Sequence, residues 1–346
     1  MQAEIEDSDP SRRALRSPRE LKAERPPSAS ALEVVARARA EIRDTLRGRD
    51  RRRLVVIVGP CSIHDPDAAF EYARRLKPIA DAVRGELLIV MRTYLQKPRT
   101  ALGWKGLIND PRLDGSCDVA AGLELARRVL LTINELGLPC ASELLDSLTA
   151  AYVTDLLSWA AIGARTSASQ QHREMASGLP MPIGFKNSTD GDLEAATNGV
   201  LTARRPHVLL GIDEAGAVSV VRTRGNPDGH IVLRGGGGRP NFEAADVLRA
   251  VSLLGADGAA RPILIDCSHG NSGKDHTRQA WVWRRSLELY RGGVESIMGL
   301  LLESNLKPGS QAWRPGADLA RDVAITDSCV GWPETEELLA QAAAAV

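Results

Sequence analysis

The sequence lacks the features of a membrane protein, a secreted protein or a disulfide scaffold. No apolar stretch approaches the roughly 20 residues that a membrane helix needs, and the polar, arginine-containing N-terminus has no apolar core of a signal peptide. The five cysteines are an odd number, widely spaced and without a CxxC pair, so no disulfide framework is expected. These absences predict a cytoplasmic protein that contacts no membrane.

Net charge is lacking as well, because 44 basic and 44 acidic residues give a formal charge of zero. The general electrostatic reason for binding nucleic acid is therefore missing. The basic run from Arg47 to Arg53 has no interleaved aromatic residues, and we interpret it as a solvated surface between a helix and the first strand. We predict no nucleic-acid partner, and any affinity for an anion must come from local clustering.

Short β-branched runs alternate with amphipathic segments along the chain, which predicts parallel strands joined by crossover helices. Eight such strands favour a closed (β/α)8 TIM barrel, and no GxGxxG follows the first strand, which argues against a dinucleotide-binding fold. The predicted strands are Leu54–Val58, Leu87–Arg92, Pro139–Glu143, Ala161–Arg165, Ile183–Lys186, Ile231–Arg234, Ile263–Cys267 and Ile297–Leu302. The predicted helices include Ala31–Arg47, Pro66–Ala82, Val119–Leu136, Leu148–Trp159 and Asp275–Tyr290.

Two segments stand outside this alternation. Residues 1–45 are predicted to form an N-terminal extension and helix for oligomer or regulatory contacts, and residues 46–346 the barrel. The strand-like runs His207–Ile212 and Val218–Arg224 predict a β-hairpin, at about 207–224, inserted before the sixth barrel strand. Such a hairpin must bury its apolar face, either on the N-terminal extension or on another subunit.

Every predicted strand ends at a polar or ionisable residue. Chemistry in such barrels lies at the carboxyl ends of the strands, and buried ionisable groups are costly unless they are paired or functional. In strand order these residues are Cys61, Arg92, Glu143, Arg165, Lys186, Arg234, His269 and Glu303. They divide into a group of cations and a group of metal-ligand types.

The cations suggest an anion site. Arg92, Arg165, Lys186 and Arg234 would converge over one barrel mouth, and the adjoining loop adds Lys97 and Arg99. Packed cations repel one another, so the cluster predicts a ligand with phosphate and carboxylate groups, which arginine binds in a bidentate manner. The alternative is a lattice in which each arginine pairs with a neighbouring acid.

The other group contains a thiol, an imidazole and carboxylates. Cys61, His269 and Glu303, with Asp327 from a later loop, would form a shell for a divalent metal ion, without choosing between Mn, Fe, Co and Zn. Cys61 taken alone would be better explained as a small buried hydrophobe. The ligand interpretation is preferred because strands 1, 7 and 8 of a barrel are neighbours.

Nearby residues are given structural roles. His64 could compete with Cys61 as a ligand, but it is assigned to the loop or to the support of the ligands, because the ligand set is already complete. Asp65 before Pro66 is assigned to the cap of the following helix. The remaining cysteines are interpreted as packing residues: Cys117, Cys140, Cys267 and Cys329.

Several long motifs resemble one enzyme family. They are Gly59-Pro60-Cys61-Ser62-Ile63-His64-Asp65, Lys97-Pro98-Arg99-Thr100, Gly103-Trp104-Lys105-Gly106-Leu107-Ile108-Asn109-Asp110-Pro111, Gly163-Ala164-Arg165-Thr166, Gly184-Phe185-Lys186-Asn187, Leu233-Arg234-Gly235-Gly236, Asp266-Cys267-Ser268-His269-Gly270-Asn271-Ser272 and Glu303-Ser304-Asn305. From about residue 15 to about residue 340, the chain resembles the type I 3-deoxy-D-arabino-heptulosonate 7-phosphate (DAHP) synthases of the bacterial feedback-regulated branch.

The resemblance implies a metal-dependent barrel enzyme, a homodimer or homotetramer. It would condense phosphoenolpyruvate with erythrose 4-phosphate, the first step of the shikimate pathway toward the aromatic amino acids. The implied metal ligands are Cys61, His269, Glu303 and Asp327, and Lys97 or a metal-held water would supply a proton. The implied phosphoenolpyruvate site is Arg92, Lys97, Arg165, Lys186 and Arg234. The implied erythrose 4-phosphate site is Lys97, Pro98, Arg99 and Thr100.

Departures from the family pattern leave two further readings open. Gln96 and Ala101 stand where an acid and a threonine are usual, and Ala168 removes a carboxylate beside Arg165. These changes allow the same chemistry on a modified aldose phosphate, or a weakly active regulatory paralogue. The segment Asp146–Tyr152 lacks the usual Pro-Gln, and Pro180 replaces serine. Both predict weak or absent feedback inhibition, as in an enzyme that serves secondary metabolism.

Overall fold

The computed structural model describes residues 13–99, 103–255 and 258–346, and it is built around a closed barrel of eight parallel strands. The barrel strands are β1 (Leu54–Gly59), β2 (Leu87–Arg92), β3 (Cys140–Glu143), β4 (Trp159–Ile162), β5 (Ile183–Lys186), β8 (Gly229–Leu233), β9 (Ile263–Asp266) and β10 (Ile297–Glu303). Two further strands, β6 (Val208–Ile212) and β7 (Val218–Arg222), form a separate two-stranded sheet. The barrel closes in the order β1-β10-β9-β8-β5-β4-β3-β2, so the predicted (β/α)8 fold is confirmed.

Helices cover the outside of the barrel. They are α1 (Pro18–Glu24), α2 (Ala29–Leu46), α3 (Pro66–Ala82), α4 (Val119–Glu135), α5 (Ser147–Val153), α6 (Gln170–Gly178), α7 (Glu194–Ala203), α8 (Ala244–Leu254), α9 (Gln279–Arg291) and α10 (Trp332–Ala343). The cap predicted at Asp65 is confirmed, since its carboxylate accepts a hydrogen bond of 2.7 Å from the Ala68 amide and Pro66 occupies the first turn of α3. No helix among the described residues is long and apolar enough to cross a membrane.

The barrel interior is filled by its own cluster of apolar side chains, separate from the layer between strands and helices. Its members include Val55, Ile57 and Trp159 from the strands. Helix α2 adds Ile42 and Leu46 to the same cluster, which places this helix at the amino-terminal end of the strands. The opposite, carboxyl end of the barrel is therefore the end left open for a site.

The predicted bounds around the fourth strand are wrong. The helix expected over Leu148–Trp159 ends at Val153 and continues as a 3-10 turn to Leu156. The strand expected over Ala161–Arg165 runs from Trp159 to Ile162. The apolar segment that starts at Trp159 matches a buried helix as well as a buried strand, and only the pairing of Trp159 with Ala141 shows that it is a strand.

The predicted hairpin is confirmed as an antiparallel pair, with Leu210 opposite Val220. Its loop contacts the N-terminal extension of the same chain, because Glu214 pairs with Lys22 at 2.7 Å and accepts a backbone hydrogen bond from Arg19. The outward face of the hairpin remains apolar and exposed: Val208, Leu210, Val218 and Val220. The extension therefore holds the hairpin loop and leaves this face uncovered.

Candidate active site

A cavity of about 440 Å³ opens at the carboxyl ends of the barrel strands, and its walls are strongly basic. The cations that line it are Lys97, Arg99, Arg165, Lys186, Arg234 and Lys274. Two carboxylates, Glu143 and Asp327, and the imidazole of His269 also line it. Five of the six cations predicted to form the anion site therefore meet at one cavity, and Arg92 is the exception. Thr100 lies outside the described residues.

Arg92 lies beneath the cavity and not on its wall. Its side chain is fully buried, and Nη2 donates a hydrogen bond of 2.7 Å to Glu303 Oε1. Its guanidinium carbon stands 3.6 Å from the ring centroid of Tyr94, a cation–π contact. Arg92 was predicted to converge with the other cations over the barrel mouth. In the structure it lies in the layer of side chains below the cavity.

Arg165 also differs from its predicted position. It follows β4 by three residues, in a turn that the Thr166 amide closes by bonding to the Gly163 carbonyl at 3.0 Å. The turn carries Arg165 to the cavity wall even though it is not part of a strand.

The salt-bridge alternative describes some of these cations and not others. Lys186 stands between Glu143, at 3.5 Å, and Asp266, at 3.4 Å. Arg234, by contrast, has no carboxylate at ion-pair distance within the described ranges, and its Nη1 donates to the Gly235 carbonyl at 2.9 Å. Burial lowers the pKa of Arg234, because a desolvated cation without a close anion is destabilised. This residue is therefore arranged for an anion that comes from outside.

Three of the four predicted metal ligands lie together. One ligand atom each from Cys61, Glu303 and Asp327 falls within 4.8 Å of the other two. The pairing of β1 with β10, which sets Gly59 beside Glu303, brings Cys61 to that carboxylate. The fourth predicted ligand, His269, places Nε2 at 3.9 Å from Glu303 Oε1.

The orientation of His269 is fixed from behind. Its Nδ1 lies 2.6 Å from the Ser268 hydroxyl and 3.0 Å from Asp266 Oδ2. A carboxylate behind one ring nitrogen is the usual support for a histidine whose other nitrogen binds a metal. Burial opposes the ionised form of Asp266, but His269 and Lys186 outweigh it and hold its pKa well below the ordinary value.

The Lys97 ammonium lies at the edge of the ligand cluster. It is 2.8 Å from Cys61 Sγ and 2.8 Å from Asp327 Oδ2. Burial disfavours the charged amine, yet Cys61, Asp327 and Glu303 raise its pKa well above the usual value. Lys97 lowers the pKa of Asp327 in return. The cluster therefore carries negative charge that already draws one cation.

The donor set fits a divalent metal ion. Burial, and then the charge of Glu303, raise the pKa of Cys61 to about 12, so the thiolate form requires a strong cation beside it. A bound divalent ion deprotonates a coordinating thiol. One sulfur, one imidazole nitrogen and two carboxylates are ligands shared by Mn, Fe, Co and Zn sites.

Sequence reasoning missed several residues here. Asp266 is the most important, and its signal was present, since it ends a strand three residues before His269. Lys274 has a φ of 64° and lines the cavity, with no sequence signal beyond its charge. Cys329 was interpreted as packing; it is buried, and its Sγ accepts a 3.4 Å hydrogen bond from the Cys61 amide.

Two of the residues that depart from the family pattern have definite places. The Gln96 amide lies 3.4 Å from Asp146 Oδ2, and its carbonyl accepts a hydrogen bond from the Thr149 hydroxyl at 3.1 Å. Ala168 is exposed on the loop before α6. Ala101 lies outside the described residues. His64, assigned to a loop, is buried there, and burial lowers its pKa.

Comparison with known proteins shows the family of the chain. The sequence profile described as the DAHP synthetase I family matches residues 29–340. The Tyr-sensitive phospho-2-dehydro-3-deoxyheptonate aldolase of Escherichia coli (strain K12) is 49% identical over 326 residues, which are 94% of this chain and 91% of that protein. The phospho-2-dehydro-3-deoxyheptonate aldolase of Corynebacterium glutamicum is 47% identical over 339 residues, 96% of this chain and 92% of that one.

A solved structure extends the similarity to three dimensions. The phospho-2-dehydro-3-deoxyheptonate aldolase from Francisella tularensis SCHU S4 superposes with a TM-score of 0.94 at 42% identity. The match covers 97% of this chain and 98% of that chain.

Proposed function

The chain belongs to the DAHP synthetase I family, and we propose that it condenses phosphoenolpyruvate with erythrose 4-phosphate to give DAHP and phosphate. The reaction opens the shikimate pathway toward the aromatic amino acids, and its phosphorylated metabolites suit a cytoplasmic enzyme. The observation that supports it best is the basic cavity directly beside the cluster of Cys61, Glu303 and Asp327. Such a site brings an anionic substrate to a metal-ligand set.

Phosphoenolpyruvate is the ligand proposed for the basic wall. Arg165, Lys186 and Arg234 would bind its phosphate and carboxylate, with Lys97 at the edge next to the ligand cluster. Arg92 would act from below, through Glu303 and through the ring of Tyr94. Holding both charged groups of the substrate fixes the position of its enol carbon, which is the positioning contribution to the rate.

Erythrose 4-phosphate is proposed to bind along Lys97, Pro98, Arg99 and Thr100. Arg99 lines the cavity, and its guanidinium packs against Gly103, where a Cβ atom would lie 2.7 Å from Nε. Glycine at position 103 is therefore needed for this placement of Arg99. The terminal phosphate of the aldose would pair with that guanidinium.

Cys61, His269, Glu303 and Asp327 would hold one divalent metal ion, and a bound ion would polarise the aldehyde oxygen of the second substrate. The chain's own residues supply the remaining steps. The enol carbon forms a bond to the aldehyde carbon, and the Lys97 ammonium, which is held in its charged form, donates a proton to the new alkoxide. Water adds at the carbon that carries the phosphate, the bond from that carbon to the phosphate oxygen breaks, and the carbon becomes a keto carbon. One proton of the water leaves with the phosphate and the other restores the Lys97 ammonium. A water molecule held by the bound ion would be the alternative proton donor.

A single assay tests the proposal. The protein is mixed with phosphoenolpyruvate, Mn²⁺ and a panel of aldose phosphates, and loss of the enol absorbance is followed. Turnover with erythrose 4-phosphate is expected. Preference for another aldose phosphate would favour the modified substrate, for which the environment of Gln96 is the supporting observation. If no aldose phosphate is turned over, the regulatory paralogue is favoured. Activity that survives treatment with a chelator would refute the assignment of a metal ion.

We also propose that feedback inhibition by Phe, Tyr or Trp is weak or absent, in keeping with a role in secondary metabolism. Support comes from the departures in Asp146–Tyr152 and at Pro180. Asp146 caps α5, with its carboxylate 2.7 Å from the Thr149 amide, and Pro180 is exposed. Potent inhibition by micromolar aromatic amino acid would contradict this proposal.

The oligomer proposed is a homodimer or homotetramer, with residues 1–45 at subunit or regulatory contacts. The support is the apolar outward face of the hairpin, where Leu210 is 76% and Val218 is 81% exposed. A face of this kind marks a contact surface.

A further inference from the structure

Three buried asparagines connect the loops that follow three neighbouring barrel strands. Asn187 follows β5, Asn241 lies in the loop after β8, and Asn271 follows β9. Their exposed fractions are 0%, 9% and 1%. We refer to these three residues as the asparagine clamp. Neither the ligand cluster nor the proposed substrate contacts include any of them.

The clamp binds every main-chain polar atom of Arg234 and Gly235. The main-chain N–H of Arg234 donates to Asn187 Oδ1 at 2.8 Å. The Arg234 carbonyl accepts a hydrogen bond of 3.1 Å from the main-chain N–H of Asn271. The Gly235 amide donates to Asn241 Oδ1 at 2.7 Å, and the Gly235 carbonyl accepts from Asn187 Nδ2 at 3.2 Å. The position of this dipeptide is thus set by the side chains of Asn187 and Asn241 and by the main-chain N–H of Asn271.

The members of the clamp also bind one another. Asn241 Nδ2 donates to Asn187 Oδ1 at 3.1 Å, and the Asn241 amide donates to Asn271 Oδ1 at 2.9 Å. Asn271 Nδ2 donates to the carbonyls of Leu233, at 3.1 Å, and Asp266, at 2.9 Å. A buried polar network whose groups are all satisfied specifies one arrangement. Asparagine suits the task because its amide offers donors and an acceptor at one place.

The backbone at this point needs such support. Gly235 has a φ of 69°, and a Cβ atom there would stand 2.4 Å from the main-chain carbon of Gly270. The chain therefore turns sharply, directly after the residue whose side chain enters the cavity. Among the described residues, the one hydrogen bond that the Arg234 side chain donates is to the carbonyl of its neighbour Gly235, so the main chain determines where its guanidinium lies.

We propose that the asparagine clamp is a positioning device for Arg234, which presents this guanidinium to the phosphate or carboxylate of the anionic substrate. The proposal rests on the proposed function, in that the anion is phosphoenolpyruvate. The clamp residues touch no substrate; they act through Arg234. Because Arg234 is oriented before binding, the substrate does not have to order it.

The first experiment measures KM and kcat for Asn187→Ala and Asn241→Ala. KM for phosphoenolpyruvate is expected to rise about tenfold, because each variant loses a hydrogen bond that holds the main chain of Arg234 and Gly235 in place. The value of kcat should change by less than about threefold. Asn226→Ala is the matched control. Asn226 is 3% exposed and bonds to Ala176, Leu179, Met181 and Asp228, near the amino end of β8. Its loss should lower the melting temperature and leave KM unchanged.

The second experiment tests whether the clamp acts through Arg234. In an Arg234→Met background, Asn241→Ala should raise KM by less than about twofold, because the group that it positions is gone and the two effects are not additive. A full tenfold effect in that background would overturn the proposal, as would an unchanged KM in both single variants. If Asn187→Ala does not fold, Asn241→Ala, at the less buried position, carries the test. Wild-type protein without turnover on any aldose phosphate would instead refute the proposed function.

Discussion

At the scale of the residue, Cys61 shows how one environment changes the role of a side chain. It is fully buried, which by itself indicates packing, and burial keeps its thiol protonated by raising its pKa to about 12. Yet Glu303, Asp327 and the Lys97 ammonium surround it. A buried hydrophobe would not have two carboxylates as neighbours. The thiol is therefore interpreted as a ligand and not as a nucleophile.

Cys61→Ala is expected to abolish turnover and to weaken binding of Mn²⁺ or Zn²⁺ by at least about 100-fold, since even supporting groups of metal ligands contribute tenfold to 100-fold. Metal content after dialysis and a metal titration provide the measurement. Cys140→Ala is the control, because Cys140 is equally buried, on β3, and is not part of the ligand cluster. Full metal content and full turnover in Cys61→Ala would contradict the assignment.

His230 is a second buried residue with a defined protonation state. It lies inside the barrel, where Nε2 accepts a hydrogen bond of 3.0 Å from Trp159 Nε1 and Nδ1 lies 3.1 Å from the Asp228 carbonyl. These partners match the neutral ring with its proton on Nδ1. Burial lowers the pKa of His230 from 6.5 to about 4. Between these two values the unfolded chain binds the proton and the folded chain does not.

Stability is therefore expected to fall as the pH drops from 6.5 towards 4. At pH 5 the contribution of His230 is a loss of about 2 kcal/mol relative to pH 7. The measurement is the free energy of unfolding in urea at both pH values, for wild type and for His230→Gln, which retains an acceptor for Trp159. The wild type should lose about 2 kcal/mol more than the variant, and equal losses would show that His230 does not titrate in this window.

At the scale of the element, strand pairing brings the site residues together. The register between β1 and β10 places Gly59 beside Glu303, so the next turn of the chain carries Cys61 to the carboxylate. The register of β10 on its other side shifts between Ile297 and Gly299, an irregularity that adjusts the strand. A Cβ atom at Gly299 would stand 1.9 Å from the Val55 carbonyl oxygen.

Gly299→Ala is expected to destabilise the protein by about 3 kcal/mol, because two hydrogen-bonded backbones would have to separate within a packed barrel. Urea unfolding measures the change. Gly85→Ala is the matched control, since a Cβ atom at Gly85 would meet nothing within 4 Å. The control should remain within about 0.5 kcal/mol of wild type. A Gly299→Ala protein as stable as the control would contradict this prediction and would show that β10 can move away from β1 without loss of stability.

At the scale of the whole molecule, the exposed face of the hairpin is the observation on which the proposed oligomer rests. Its inner residues pack against the chain, while Val208, Leu210, Val218 and Val220 face outward with 55%, 76%, 81% and 63% of their surfaces exposed. The face is continuous, because Leu210 pairs with Val220 across the hairpin. Contiguous apolar surface of this kind is rare on monomers.

Light scattering coupled to size-exclusion chromatography is expected to give the mass of a dimer or tetramer for the wild type. The Leu210→Asp, Val220→Asp double variant should shift the mass to a smaller species, because two carboxylates cannot be buried unpaired at an interface. Leu248→Asp is the control, since Leu248 is 59% exposed on α8. A monomeric wild type, or an unchanged mass in the double variant, would contradict the proposed oligomer.

The amino-acid sequence by itself determined the barrel, the hairpin and the residue types at the mouth. Local periodicity distinguishes strands from helices, and residues that follow parallel strands must share one end of the sheet. It failed where local signals were ambiguous, as in the apolar segment from Trp159 to Ile162, which only pairing with β3 identifies as a strand.

Only the tertiary structure decided where the side chains point and which groups they bind. Arg92 lies under the cavity against Glu303, and Asp266 lies between Lys186 and His269. The asparagine clamp joins Asn187 to Asn241 and Arg234, partners that are 54 and 47 positions away along the chain. Hydrogen bonds between residues so far apart in the sequence depend on the order of the strands and on the side-chain rotamers that packing allows. No local pattern in a sequence contains that information.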